Sequence, residues 1–337
     1  MTTRMLQIGI IGFGVMGRMH ADQIAHIPGV NIAVVVETSP VNLENAKQHF
    51  SGMKTAFYSD LEMAINANKL DGWIVTSSTK SHVAITRRLL AEGTCVLLEK
   101  PLAGTLEEAK SLGDSLSENQ SKLILGHVLL WSEEFKALKA IAREAGSIYS
   151  IHSTRHRPAG SRLRYPGESP ITLTMVHDLY MVQNLMSGKS PTKFSAQKRD
   201  HQSGGIDLAM CQLGWETNES ASFVASFLVP DDMPEDSHLD AITIFGEDWM
   251  AKMTFGRGEI ELHAQGNSRV VTIDAPSRIG ASSYFEDALR SELESFFGVI
   301  NANEDIPSGA TYQDACQIQE WMDTFISLST ENGVAAC

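Results

Sequence analysis

The 337-residue sequence is short of cysteine, of basic residues and of long apolar runs, and each shortage removes a class of function. Its four cysteines (Cys95, Cys211, Cys316 and Cys337) are far apart and form no CxxC, so neither a disulfide framework nor a thiol-based metal knuckle is expected, and a reducing compartment fits. Lys plus Arg number 27 against 41 Asp plus Glu, a formal charge of −14. Such a surface repels phosphate backbones and anionic lipid, so no nucleic-acid or membrane partner is expected. No stretch approaches the roughly 18 uncharged apolar residues of a spanning helix. Arg4 followed by MLQIGIIGFGVMG has the charge and the apolar run of a signal peptide. However, glycine punctuates that run, Arg18 follows it, and no clear small-residue cleavage site is present, so the expected location is cytoplasmic. The eleven histidines form no metal set. His152 and His156 are four apart, but strand and loop there would not put them on one face, and no metal is expected.

What is present is globular material, 43% hydrophobic and 20% charged, enough for two domains of roughly 150 residues. Apolar β-branched runs at 6–11, 31–36, 72–76, 94–99 and 122–126 alternate with helical patterns. Each run is apolar at odd and even positions alike, as a strand covered on both faces must be. The fold class is therefore α/β at the N-terminus, a Rossmann-like doubly wound parallel sheet over 1–127. Beyond it, a helical segment (132–145) leads to a strand (147–154), a basic loop and a helix near 170–186. Strand-like stretches follow at 192–201, 205–214, 220–229, 239–245, 249–255, 258–264 and 269–274, and helical patterns at 284–300 and 310–328 close the chain. Region 128–337 thus reads as an α+β domain with a large, mainly antiparallel sheet. ASFVASFLV (221–229) is apolar at both parities, which predicts cover on both faces, one of them by a partner subunit. Neither an internal repeat nor a low-complexity segment is found.

Gly12-Phe13-Gly14-Val15-Met16-Gly17 is a GxGxxG that follows an apolar strand and opens a helical pattern, the context that gives this motif meaning. Gly12 allows the tight turn, Gly14 lets a pyrophosphate approach, and Gly17 lets helix and strand pack closely. The helix start offers unpaired N–H groups to the anion. Glu37 ends the second strand 20 residues after Gly17, and Thr38, Ser39 and Pro40 after it include no basic residue. A carboxylate there accepts from ribose hydroxyls and repels a 2′-phosphate, which favours NAD over NADP. Lys100, in Glu99-Lys100-Pro101, closes the fifth strand. Its ammonium must find partners or lose its proton, and either behaviour suits proton transfer to a substrate oxygen. A structural lysine paired with a carboxylate is the alternative.

These motifs together resemble the glucose–fructose oxidoreductase/inositol dehydrogenase (Gfo/Idh/MocA) family over nearly the whole chain. The matching pieces are the GxGxxG followed by Arg-Met-His-Ala (18–21), Tyr58-Ser59-Asp60, Val75-Thr76-Ser77-Ser78-Thr79 with His82, Glu99-Lys100-Pro101, Gly126-His127, His177-Asp178 and SELESFF. The resemblance implies Lys100 and His177 as the acid–base pair. It also implies a cofactor site lined by Gly12 to Gly17, Glu37, Thr38, Ser77, Ser78, Thr79, His82, Glu99, Lys100 and His127. The second domain would present the sugar-binding face, with Tyr284 in the substrate set, and a homo-dimer or homo-tetramer interface. Two departures alter the His177 helix: Leu173 and Tyr180 stand four residues before and three after it, where relatives carry acids. Both positions share the face of His177 in an α-helix. Tyr180 reads equally as a hydroxyl that relays a proton or as an aromatic that packs. Leu130-Trp131 stands where relatives often place Arg-Phe.

Arg155, Arg157, Arg162 and Arg164 place four of fourteen arginines within ten residues, with no acid among them. Guanidinium forks bind carboxylate or phosphate, so the stretch points to a substrate with a negative group, or else to a solvated basic loop. The leading functional expectation is an NAD-dependent oxidoreductase acting on a secondary alcohol or ketone of a sugar or cyclitol. An NAD-binding sensor without turnover and an NAD-retaining glycoside hydrolase are the alternatives.

Overall fold

The N-terminal apolar runs become parallel strands. A computed structural model describes residues 4–113, 116, 122–233, 240–273, 284–302, 304–328 and 334–336. In chain order the first elements are β1 (Leu6–Ile11), α1 (Val15–Ile24), β2 (Val30–Val36), α2 (Pro40–His49), β3 (Ala56–Tyr58), α3 (Leu61–Ala67), β4 (Gly72–Val75), α4 (Thr79–Ala91), β5 (Cys95–Glu99), α5 (Leu106–Gly113) and β6 (Leu123–Gly126). The sheet order is β3-β2-β1-β4-β5-β6, every pairing parallel. This is the doubly wound Rossmann order, which reverses direction between β1 and β4. Ile8, Ile10, Val34, Ile74, Leu97 and Ile124 are fully buried, at about 1.5–3 kcal/mol of burial each. The three-residue β3 is too short for alternation to reveal, and the sequence pattern does not show it.

The second set contains α6 (Glu133–Ala145), β7 (Ile148–Pro158), α7 (Ser161–Arg164), α8 (Val176–Leu185), β8 (Lys193–Asp200), β9 (Ile206–Gly214), β10 (Ser220–Val229), β11 (Ala241–Gly246), β12 (Trp249–Thr254), β13 (Glu259–Ala264) and β14 (Asn267–Thr272). It closes with α9 (Tyr284–Ile300), α10 (Tyr312–Leu328) and β15 (Val334–Ala336). The nine-stranded sheet runs β14-β13-β12-β11-β7-β10-β9-β8-β15. It is antiparallel except for the β7–β10 pair. Residue 274 of the expected 269–274 strand, and Cys337, lie outside the described residues. Helix α6 starts at Ser132, whose hydroxyl accepts the Phe135 N–H. It buries Glu134, Phe135, Leu138 and Ala142, the i, i+4, i+8 stripe of a helix laid on a sheet.

Three features differ from the sequence expectations. First, 1–128 groups with 286–319 in one compact unit, and 129–285 with 320–337 in the other, rather than dividing once at 127. Within the first unit Ile300 and Phe296 crowd Gly72 so closely that a Cβ there would come within 2.7 and 3.0 Å of them. Tyr312 also donates its hydroxyl to the Ala109 carbonyl at 2.9 Å. A helix belongs with the surface its apolar stripe covers, wherever it falls in the chain. Second, β7 runs four residues past the expected end, so Arg155 and Arg157 are strand residues rather than loop. Strand β7 is held on both sides, and Ala225 pairs with Arg155 and Ser226 with His156, so the ladder overrides local propensity. Third, the helix expected near 170–186 begins as a π-wound turn, Ile171–Met175, before α8. On β10, Ala221, Phe223, Ala225 and Phe227 are buried on one face, while on the other Ser226 is buried and Ser222 and Val224 are partly exposed.

Candidate active site

Every cofactor-side residue singled out in the sequence lies within a few residues of the carboxyl end of a strand in the six-stranded sheet. Ile11 pairs with Val36 on one side and Val75 on the other, so the loops after β1, β2 and β4 leave the sheet side by side at the switch point. Gly12 has φ +89°, and a Cβ on it would lie 2.9 Å from the Ser77 backbone. A Cβ on Gly17 would lie 2.1 Å from the Gly12 carbonyl oxygen. Thr76 reinforces this packing by donating its hydroxyl to that same oxygen at 2.7 Å. Gly14 is the N-cap of α1, and a Cβ there would meet nothing within 4 Å. The first turn of α1 carries no acidic residue, so its N–H groups and partial positive charge are left for an anion. Phe13 contributes only backbone. Its ring is buried against His49 and Phe50, with centroids 5.4 and 5.5 Å away. Val15 is exposed and Met16 half-buried.

Glu37 is buried and fixed by two backbone bonds: Oε2 accepts the Phe13 N–H and Oε1 the Ser39 N–H, both at 2.7 Å. Each oxygen retains a second acceptor site, and Thr38 beside it is exposed. That acceptor set suits ribose hydroxyls. Ser78 caps α4, whose first residue is Thr79, and Ser77 accepts the Ser81 hydroxyl at 2.8 Å. His82 sits under this turn. Its Nδ1 is 2.8 Å from the Pro101 carbonyl and its Nε2 3.0 Å from the Ser77 carbonyl. It ties the β4 and β5 loops together, a supporting rather than a contacting role.

Glu99 likewise turns inward. Its Oε1 is 2.8 Å from His20 Nε2, and its Oε2 accepts the Lys100 N–H at 3.2 Å. Burial works to raise its carboxyl, but the hydrogen bond and charge of His20 and the charge of Lys100 outweigh it and hold it low. Lys100 itself is half-buried. His127 donates Nδ1–H to the Gly309 carbonyl at 2.7 Å, and burial pushes its pKa down to about 4. It is therefore neutral near pH 7. Sequence reasoning missed Glu292, which is fully buried with His20 and Glu99, ligand-type atoms of all three lying within 4.8 Å of one another. His20 and Glu292 stand inside quoted motifs, but no spacing rule links residues so far apart in the chain.

In the other unit, His177 Nδ1 lies 2.5 Å from the Tyr180 hydroxyl, which also accepts the Leu129 N–H at 3.3 Å. The two rings meet edge-on at 5.6 Å, so Tyr180 both packs and bonds. The i−4 argument for Leu173 does not apply, because the π-wound turn breaks the α-helical register before His177. The arginines separate into two kinds. Arg155 is fully buried and grips Asp178 with Nε and Nη2, both at 3.0 Å, and Asp240 with Nη1 at 2.9 Å. Its guanidinium carbon lies 4.7 Å above the Phe255 ring. Burial opposes its charge, but Asp178 and Asp240 hold the proton more tightly than usual. Arg157 forks onto both oxygens of Asp240 at 2.8 Å. Arg155 is thus a core residue, not a substrate ligand, a correction the sequence could not supply because Asp240 is 85 positions away. Arg162 donates to the Phe227 carbonyl at 3.1 Å, and Arg164 is exposed. Tyr284 packs near Phe255, centroids 5.9 Å apart, and burial raises its phenol pKa.

Residues 6–127 match the model of the Gfo/Idh/MocA oxidoreductase family, NAD-binding Rossmann fold. The chain is 29% identical over 187 residues to an inositol 2-dehydrogenase of Klebsiella pneumoniae, covering 54% of this chain and 55% of that one. It is 28% identical over 186 residues to that of Azotobacter vinelandii, at 54% of each. The chain spans about half the length of the curated relatives it matches. Among solved structures, an oxidoreductase from Agrobacterium radiobacter in complex with NAD+, L-tartaric acid and magnesium superposes with TM-score 0.84 at 15% identity, covering 98% of both chains. A levoglucosan dehydrogenase in complex with NADH and levoglucosan gives 0.84 at 17%, covering 98% and 99%. The UDP-N-acetylglucosamine 3-dehydrogenase of Acidithiobacillus ferrooxidans gives 0.80 at 21%, covering 96% and 97%. At such identities the likeness is one of fold.

Proposed function

We propose, from the premise that residues 6–127 belong to the Gfo/Idh/MocA oxidoreductase family, that this chain moves a hydride between NAD and a secondary alcohol or ketone of a cyclitol or neutral sugar. The observation that carries this reading is the switch-point edge. There an open Gly14 helix start, a fixed Glu37 carboxylate and Lys100 follow the carboxyl ends of β1, β2 and β5 on one edge of the parallel sheet. When bound, nicotinamide supplies the redox step. The chain's own part is to bind and orient and to handle one proton. The N–H groups at the start of α1 hold the pyrophosphate, and Glu37 accepts from the ribose hydroxyls and repels a 2′-phosphate. Ser77, Ser78 and Thr79 border the cofactor. Lys100 takes the hydroxyl proton during oxidation and returns it during reduction. His177 assists through Nε2, and Tyr180 on its Nδ1 sets the tautomer.

The arginines favour a neutral polyol over an anionic substrate. Arg155 and Arg157 face Asp178 and Asp240, two positive charges against two negative. The curated relatives named inositol 2-dehydrogenase support the same class. Cys95 and Cys211 are free thiols, which supports a reducing, cytoplasmic setting. No helix among the described residues is long and apolar enough to cross a membrane. The half-exposed face of β10 supports a homo-oligomer through the large sheet, which sedimentation would check.

The test is calorimetry with NAD+ and NADP+, followed by absorbance assays for NADH with myo-inositol, scyllo-inositol, levoglucosan and neutral glycosides. The expected result is NAD+ binding with a preference over NADP+ that Glu37→Ala erodes, and NADH formed with a polyol. Glycoside cleavage without net NADH, or binding without either product, would replace this reading by the hydrolase or the sensor.

A further inference from the structure

We propose that Glu292 is kept as a protonated carboxylic acid beside the His20–Glu99 pair, so that Glu99 is the one ionised carboxylate of the buried cluster and the one that acts on Lys100. The geometry leaves little alternative. His20 and Glu292 have no exposed surface, Glu99 is 5% exposed, and one ligand-type atom of each lies within 4.8 Å of the others. Glu99 already has a partner on each oxygen, His20 and the Lys100 N–H. Neither oxygen of Glu292 has a protein hydrogen-bond partner. Two carboxylates in one water-excluded site cannot both ionise, and the one without donors keeps the proton.

The other groups around the cluster do not change this assignment. His127 is neutral near pH 7 because burial pushes its pKa down to about 4, so it adds no charge. Arg290, two residues before Glu292 on α9, is engaged with the Gln23 side chain at 2.6 and 3.1 Å. Asp314 accepts the Thr311 hydroxyl at 2.6 Å and the Gly309 N–H at 2.8 Å. Burial and the Glu99 charge together push the Glu292 carboxyl well above the ordinary range. Glu292 is thus a positioning residue that acts on Lys100 through Glu99. A second ionised carboxylate here would bind the Lys100 proton more tightly and slow its release. An ionised Glu99 alone supplies one charge that interacts favourably with the Lys100 ammonium. The assignment to Lys100 rests on the function proposed above, whereas the location of the proton does not.

The test uses the whole purified chain without substrate. Infrared difference spectra at neutral pH read the carbonyl stretch of a protonated carboxylic acid, identified by its shift in D2O. Methyl-labelled lysine NMR, assigned with Lys100→Arg, reads the Lys100 titration. The expected result is a band in the wild-type protein that Glu292→Gln removes, with the Lys100 midpoint unchanged in that variant. In Glu99→Gln the midpoint falls by about one pH unit, a tenfold change in acid constant. A wild-type spectrum without the band, whether from two ionised carboxylates or from a cation between them, overturns the proposal and requires no variant to fold. A band that survives in Glu292→Gln places the proton elsewhere and also overturns it. A Lys100 midpoint unmoved by Glu99→Gln overturns the link to Lys100. Failure of every sugar to reduce NAD+ would sink the dehydrogenase reading and leave these spectra untouched.

Discussion

The two units handle buried charge in opposite ways. In the second unit Arg155 and Arg157 meet Asp178 and Asp240 with matched numbers of opposite charges. In the first unit His20, Glu99 and Glu292 bring two acids and an imidazole together, with no guanidinium or ammonium among them. Burial is near complete for every member of both clusters except the half-buried Arg157, so burial alone does not decide which groups are ionised. Neighbours do. Asp240 is held below the ordinary carboxylate range by two guanidinium groups despite burial, whereas Glu292 is pushed above it by burial and by Glu99. Asp178, bonded to Arg155 and Ser153 but to only one of the two guanidinium groups, is still raised by burial, so the balance of burial against neighbouring charge sets each outcome.

The largest effect expected from breaking this contrast is at Arg155. Arg155→Met leaves Asp178 and Asp240 buried without their shared cation and should cost about 3–5 kcal/mol of unfolding free energy, read from urea midpoints. If the loss is under about 1 kcal/mol, the network contributes specificity rather than stability.

His127 sharpens the comparison as the buried group that copes by losing charge. Its folded pKa, about 4, lies below the ordinary 6.5. Between those values the unfolded chain binds more protons than the native one, so stability rises with pH through this window. The sign for Glu292 is opposite: its folded pKa is raised, so stability falls as pH climbs above the ordinary Glu value of 4.5. Lowering the pH from about 6.5 to about 4 should therefore cost up to about 3 kcal/mol through His127 alone. His127→Gln should flatten that part of the urea-versus-pH profile.

A smaller, catalytic effect is expected at Tyr180. Tyr180→Phe keeps the ring packed but removes the bond to His177, and should lower kcat about tenfold, roughly 1.4 kcal/mol, with KM little changed. A change confined to KM would mean that the hydroxyl binds substrate rather than orienting the histidine. The smallest effect belongs to Arg164, which is exposed. Arg164→Ala should alter KM for a neutral polyol by less than about twofold, as befits a solvated surface charge. A KM rise of tenfold or more would restore the anionic substrate.

What could be read in advance follows the distance over which each cause acts. Gly12, Gly14 and Gly17 were legible because their requirement is set within one turn and by the strand just before it. Glu37 was legible as an acceptor, although not that Phe13 and Ser39 would fix it. The basic stretch misled: four arginines in ten residues look like a binding loop until β7 buries one of them against acids 23 and 85 positions away. Glu99 and His82 read as cofactor contacts, and both turn inward onto protein atoms.

The sequence by itself determined the parallel sheet, the glycine turn and the acidic strand end. Strands covered on both faces require continuous apolar runs, and a turn with positive φ against a neighbouring strand requires glycine. Only the tertiary structure decided which charges are neutralised, which helices complete each unit and where protons reside. Those outcomes depend on which groups meet in a space without water, where a few ångströms of separation set the sign of the energy.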